Sequence, residues 1–142
     1  MLTLVRPAMT IPDRSVPSDE WVLSEEGRAA PRALELRGPA RTSTEPKAIE
    51  TATLAGLDAE RDARLREVRR PWSDDYEADV ARYLGGEDVP GWEPQSDALA
   101  RLRAALDGFD GIAVTHGLAI SLYLGYTLEQ WRALPFPAVV EC

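Results

Sequence analysis

Two residues in this chain stand where the backbone leaves an apolar strand, and both carry groups able to hold an anion. Arg6 ends the run Leu2-Thr3-Leu4-Val5, and His116, the only histidine among 142 residues, ends the run Ile112-Ala113-Val114-Thr115. A guanidinium offers a planar fork of N–H donors to a phosphate or carboxylate. An imidazole can donate, accept or carry a proton at neutral pH. Gly117 lets the backbone turn directly after His116, so amides of a helix starting there could face the same anion. A phosphate or carboxylate pocket is one reading of this set. The other is structural: His116 caps a helix while Arg6 pairs with one of the chain's 24 acidic residues.

Any such site depends on the elements that carry these residues. Pro7 pushes the residue before it toward extended geometry and so keeps Arg6 in the strand. Residues 8 to 23, polar and interrupted by prolines, read as a long loop. Ser24 is placed to cap a helix with Glu25 and Glu26 in its first turn, and Pro31 should kink that helix or force a restart. Ala40 to Ser43 forms a short strand, followed by a helix from about Pro46 to Ala55 with proline in its first turn. An extended piece is expected near Arg64 to Val68. Ser73 is expected to cap the next helix, whose apolar residues Tyr76, Val80, Tyr83 and Leu84 recur at helical spacing up to Gly85, Gly86 and Pro90.

Pro94 to Asp107 forms another helix, with Leu99, Leu102 and Leu106 on one stripe. Ile112 to Thr115 has the continuous apolar character of a strand covered on both faces. The segment after His116 is apolar all round and reads as a buried helix. Thr127 with Gln130 makes a capping box for a last short helix, and "FPAVVE" (136–141) closes the sheet. Strands alternating with helices predict a three-layer α/β/α sandwich with a mainly parallel central sheet, in a single domain over residues 1–142. Such sheets bind ligands at the carboxyl ends of their strands, where Arg6 and His116 stand.

Composition bounds the function. Apolar residues make up 44% and charged residues 28%, ordinary for a folded globular chain. Net charge is −8, so the long-range field repels nucleic acid and anionic membranes, and an anionic ligand needs a local basic pocket. The arginines at 64, 66, 69 and 70 form the obvious basic stretch, which is expected to be a solvated face. No apolar run approaches the roughly 20 residues of a membrane helix, and the amino terminus lacks the pattern of a secretory signal, which leaves the cytoplasm as the expected location. Cys142 stands alone and supports no disulfide framework. No metal-ligand or cofactor motif is expected.

Five segments in this order carry a stronger signal: "LVRPAMT" (4–10), "LSEEGRAA" (23–30), "TSTEPKAIETA" (42–52), "DARLRE" (62–67) and "AVTHGLAI" (113–120). Together with the closing "LPFPAVVEC" (134–142), they resemble the histidine phosphatase superfamily, also called phosphoglycerate mutase-like, over essentially the whole chain. The resemblance implies that fold, no cofactor, and a phosphate site assembled from its motifs. In the family a histidine of the first motif attacks phosphorus. The adjacent arginine, an arginine of the third segment and the late histidine clamp phosphoryl oxygens, and a glutamate serves as proton donor.

Carried over, Arg6 matches the first arginine, Glu67 the acid and His116 with Gly117 the late motif. Thr10 and Thr51 match motif threonines of structural character. Two matches fail. Pro7 occupies the nucleophile's place, and Lys47 occupies that of the second arginine; Ala8 and Met9 also replace the motif's glycine and glutamate.

Proline has no side-chain lone pair, which closes the covalent phosphohistidine route at that position. Lys47 keeps the charge without the planar fork. His116 acting as nucleophile would give up its own role as a clamp. The expectation is therefore a pseudoenzyme with a partial pocket, Arg6, Lys47, His116 and Gly117, for a phosphorylated or other anionic small molecule. The alternatives are a regulatory module that binds a protein partner and retains a vestigial site, and a weak phosphomonoester hydrolase. Against these stand bland readings: Glu67 balancing the neighbouring arginines, Lys47 solvated on its helix, and Trp21, Trp72 and Trp92 as buried loop anchors in place of a substrate mouth.

Overall fold

The computed structural model describes residues 1–142. Five strands form one sheet in the order β3-β2-β4-β1-β5, with β1 Leu2–Arg6, β2 Ala40–Thr42, β3 Ala59–Arg61, β4 Gly111–Val114 and β5 Ala138–Glu141. The pairs β1–β4, β2–β4 and β2–β3 are parallel, and β5 runs antiparallel along the edge of β1. Alternation along the strands decides which face each side chain takes. Leu4 and Ala113 join one core, while Val5, Ile112 and Val114 join the other.

The first core is closed by α2 Tyr76–Leu84, α3 Gln95–Leu106 and α4 Gly117–Leu124, through Val80, Tyr83, Leu102, Leu106, Leu118 and Ile120. The second is closed by α1 Pro46–Leu54 through Ala48 and Ala52. Helices on both faces of a mostly parallel sheet give the expected three-layer α/β sandwich. The short α5, Leu128–Ala133, starts on the capping box of Thr127 and Gln130. Residues Gly117 to Leu122 of α4 are all buried, as an all-round apolar helix requires. No helix is long and apolar enough to cross a membrane.

Three local expectations are corrected. No helix grows from Ser24; two 3-10 turns, Glu26–Arg28 and Ala30–Ala33, stand there instead. Ser24 Oγ does accept the Gly27 amide, but Gly27 packs so closely on the Met9 carbonyl that a Cβ there would lie 2.2 Å from it. That contact and the missing N–H of Pro31 limit the segment to single turns. The extended piece expected at 64 to 68 lies earlier, as β3, where Ala59 pairs with Ala40; the Asp62 side chain then accepts Arg64 N–H and turns the chain. Ser73 does not cap α2: Asp75 does, accepting the Ala78 amide, while Ser73 Oγ donates to Asp79 at 2.6 Å.

Parallel pairing brings the carboxyl ends of β1, β2 and β4 together. Val5 is opposite Val114, Thr115 N–H donates to Val5 O at 2.9 Å, and Ser43 N–H donates to Val114 O at 2.8 Å. Arg6, Ser43 and His116 thus leave the sheet side by side.

Candidate functional site

Arg6 and His116 converge on one cavity of about 200 Å³, whose lining also includes Pro7, Lys47, Glu67 and Arg70. The Arg6 guanidinium lies against the Gly117 backbone, so close that a Cβ on residue 117 would sit 2.8 Å from Cζ. Its carbon stands 3.5 Å from the centroid of the Phe136 ring, and Nη1 donates to Leu134 O at 2.7 Å. Nη1 is the only side-chain donor of Arg6 with a protein acceptor; Nε and Nη2 lie against Gly117 without one. Burial pulls this guanidinium below the usual arginine value, with Glu67 and Tyr76 opposing the shift.

The chain after β1 is pinned to α1. Ala8 N–H donates to Thr51 Oγ1 at 3.2 Å, and Thr51 donates to Lys47 O at 2.7 Å. Thr10 bridges to Leu23 across the following loop. These contacts fix Pro7 in the cavity wall, where its ring offers neither donor nor acceptor.

Lys47 is not a solvated residue. It is 9% exposed on the first turn of α1 and donates through Nζ to Ser18 O at 2.8 Å. Nζ also lies 3.3 Å from Glu45 Oε1 and 5.6 Å from the centroid of Trp21. The lysine reaches the cavity with its charge already shared.

Glu45 was not anticipated. It sits in the extended turn between β2 and α1 and is 5% exposed. Its Oε2 stands 3.0 Å from His116 Nε2 and accepts Glu67 N–H at 2.6 Å, while Oε1 has no hydrogen bond. Burial alone would push this carboxyl up. The His116 charge and hydrogen bond, then Lys47 and the Glu67 amide, outweigh burial and hold it at about 2. His116 Nε2 also stands 2.8 Å from Ser43 Oγ. The carboxylate favours a proton on Nε2, and Nδ1 has no hydrogen bond to protein.

Glu67 neither balances the arginine stretch nor leaves the α4 amides free. Its Oε2 accepts Leu118 N–H at 3.0 Å and its Oε1 accepts Ala119 N–H at 2.8 Å and Val68 N–H at 2.9 Å. An internal carboxylate thus fills the helix terminus that was expected to receive an external anion, where the helix dipole favours negative charge. Of the expected site residues, Gly117 contributes close packing with Arg6.

The arginine stretch divides. Arg64 pairs with Asp62 at 2.7 Å and Arg66 with Glu93 at 3.1 Å, whereas Arg70 turns toward the site. Its guanidinium stands 4.7 Å from the Tyr76 ring centroid, and Nη1 donates to Val68 O at 3.0 Å. Of the loop tryptophans, Trp92 is a buried anchor at 7% exposure, Trp21 lines the cavity, and Trp72 is 51% exposed. No group of three His, Cys, Asp or Glu side chains is arranged to hold a metal ion.

Nothing local in "TSTEPK" (42–47) marked Glu45 as the partner of His116, because the pairing of β2 with β4 is what brings the two together. Nothing local distinguished Arg70 from its neighbours.

Solved structures share this architecture. TTHB049 from Thermus thermophilus is 29% identical, over 89% of this chain and 85% of that chain, with a TM-score of 0.69. A phosphoglycerate mutase from the same organism is 28% identical, over 85% and 80%, with a TM-score of 0.65. YhfR of Bacillus stearothermophilus shares the fold at 20% identity, over 99% and 90%, with a TM-score of 0.64. No protein-family model and no curated protein sequence matches the chain. The fold is phosphoglycerate mutase-like.

Proposed function

We propose that the cavity beside Arg6 and His116 is an anion pocket for a phosphorylated ligand, in a chain without covalent phosphohistidine chemistry. The observation that carries this reading is that Arg6, Lys47, Arg70 and His116 line one cavity of about 200 Å³ whose wall, at the expected nucleophile's place, is Pro7. Arg6 keeps two donors free for phosphoryl oxygens, and cations gathered in a partly buried hollow act at low effective dielectric. The chain's net charge of −8 opposes anions at long range, so the local set must supply the attraction. Glu67, matched by resemblance to a proton donor, commits both oxygens to backbone amides, which agrees with binding more than with turnover.

Thermal melting with millimolar phosphate or vanadate tests the proposal. At about 100 times the dissociation constant, binding adds roughly 2.7 kcal/mol to stability. The shift should appear in the parent chain and vanish in a folded Arg6→Ala variant. Absence of any shift in the parent chain overturns the reading.

A second reading has one observation in its favour: Glu45 and Ser43 engage His116 Nε2, leaving Nδ1 without a protein partner. In that case Nδ1 takes a proton from water, whose oxygen bonds to phosphorus as the ester P–O bond breaks and its electron pair leaves on the ester oxygen. Phosphate release from p-nitrophenyl phosphate that disappears in His116→Ala would support it; release indifferent to that change excludes it.

A further inference from the structure

Beside the Arg6 cavity lies a second hollow of about 480 Å³, and Trp21, Arg70 and Tyr76 form the wall common to both. Its flat surfaces are the rings of Trp21, Trp72 and Tyr76 with Pro17 and Pro71. Its only charged lining residues are Arg14 and Arg70, in a chain whose net charge is −8. Asp74 stands near Arg14, 3.7 Å from its Nη2, and accepts the Trp72 indole N–H at 3.2 Å.

Two of the three rings are held before any ligand arrives. The Trp21 indole N–H donates to Asp13 O at 3.0 Å and Val16 O at 3.1 Å. Tyr76 is backed by Trp92 and Trp131, with ring centroids 5.9 and 5.7 Å away. Trp72 supplies a third apolar surface that is half open to solvent. Preorganised aromatic walls bind flat apolar groups with little ordering cost. A sugar would find few partners there: of the lining serine hydroxyls, Ser15 and Ser73 already donate to Asp13 and Asp79, which leaves Ser18.

We infer that this hollow seats the organic body of the phosphorylated ligand, a flat apolar group about the size of a fused ring pair, joined to a phosphoryl group held beside Arg6 and His116. The inference rests on the anion reading of that cavity and assigns the part of the ligand that phosphate recognition leaves open. Arg70, on the common wall, lies where body and phosphoryl group meet. The volume falls within the usual range of small-molecule pockets, which is roughly 300–1,000 Å³.

Calorimetric titration with three probes tests it: methylphosphonate, (1-naphthylmethyl)phosphonate and 1-naphthalenemethanol, the P–C bond of the phosphonates resisting hydrolysis. The naphthyl phosphonate should bind at least tenfold tighter than methylphosphonate, and Trp72→Ala should remove most of that gain while leaving methylphosphonate affinity unchanged. Methylphosphonate binding with no gain from the ring overturns the inference and leaves the anion cavity standing. A gain that persists in both Trp72→Ala and Trp21→Ala likewise overturns it. The alcohol binding as tightly as the naphthyl phosphonate, with methylphosphonate silent, overturns the anion reading and the joint ligand with it.

Discussion

The carboxylate of Glu45 and the imidazole of His116 form a buried pair, with Oε2 3.0 Å from Nε2. Burial raises a carboxyl's pKa, but His116, Lys47 and the Glu67 amide prevail and lower this one from 4.5 to about 2. A folded value below the unfolded one means that the pair stabilises the protein above pH 4.5 and loses that contribution as pH falls toward 2. Urea unfolding measured from pH 7 down to 2 should show this loss. Glu45→Gln takes up no proton in that window, so its acid limb should be shallower. At pH 7 the same change should cost about 3–5 kcal/mol, because Lys47 loses its buried counter-charge. An acid limb as steep in the variant as in the parent chain would refute the assignment.

Glu67 holds the amino end of α4 by accepting the Leu118 and Ala119 amides. Glu67→Ala leaves both donors in a buried helix terminus and should cost roughly 1–3 kcal/mol in urea unfolding. Glu67→Gln keeps one acceptor oxygen and should fall between the two. Parent-like stability in Glu67→Ala would mean that the carboxylate is free for another role.

The alternation of strands and helices was legible where an element carries a hydrophobic period, as α2 does, or an unbroken apolar run, as β4 and α4 do, and the parallel-sheet rule then places Arg6 and His116 at neighbouring strand exits. The capping box of Thr127 and Gln130 was legible for the same reason: its partners are three residues apart. Glu67 was found as a residue, yet its contacts with α4 lie 51 and 52 positions away, and no local pattern announces them. Glu45 escaped notice because only tertiary closure brings it to His116. The helix expected at Ser24 failed although its cap is present, since the close approach of Gly27 to Met9 overrides local preference.

Gly117 governs where the Arg6 guanidinium rests. A Cβ at 117 would lie 2.8 Å from Arg6 Cζ and Nε. The atoms it meets are the end of a flexible side chain, so the fold can yield by displacing the guanidinium. Gly117→Ala should therefore change stability by no more than roughly 1 kcal/mol, helped by alanine's better helix propensity. The phosphate-induced melting shift should nevertheless fall as far as it does in Arg6→Ala. A full shift in Gly117→Ala would show that the observed guanidinium position is not the one that binds.

Pro7→His combined with Lys47→Arg tests the register of the whole site. Residue 7 lines the same cavity as Arg6 and His116. An imidazole there could form a P–N bond as the ester P–O bond breaks, and water would then hydrolyse the phosphorylated ring. Because both Glu67 oxygens are held by backbone amides, the substrate should carry a leaving group that needs no proton, such as p-nitrophenolate. The expected outcome is acid-labile labelling by phosphate close to one per chain and turnover at least about tenfold above the parent. Arg6→Ala in the same background should abolish both. A variant whose circular dichroism and melting match the parent, yet which neither labels nor turns over, would remove residue 7 from the site.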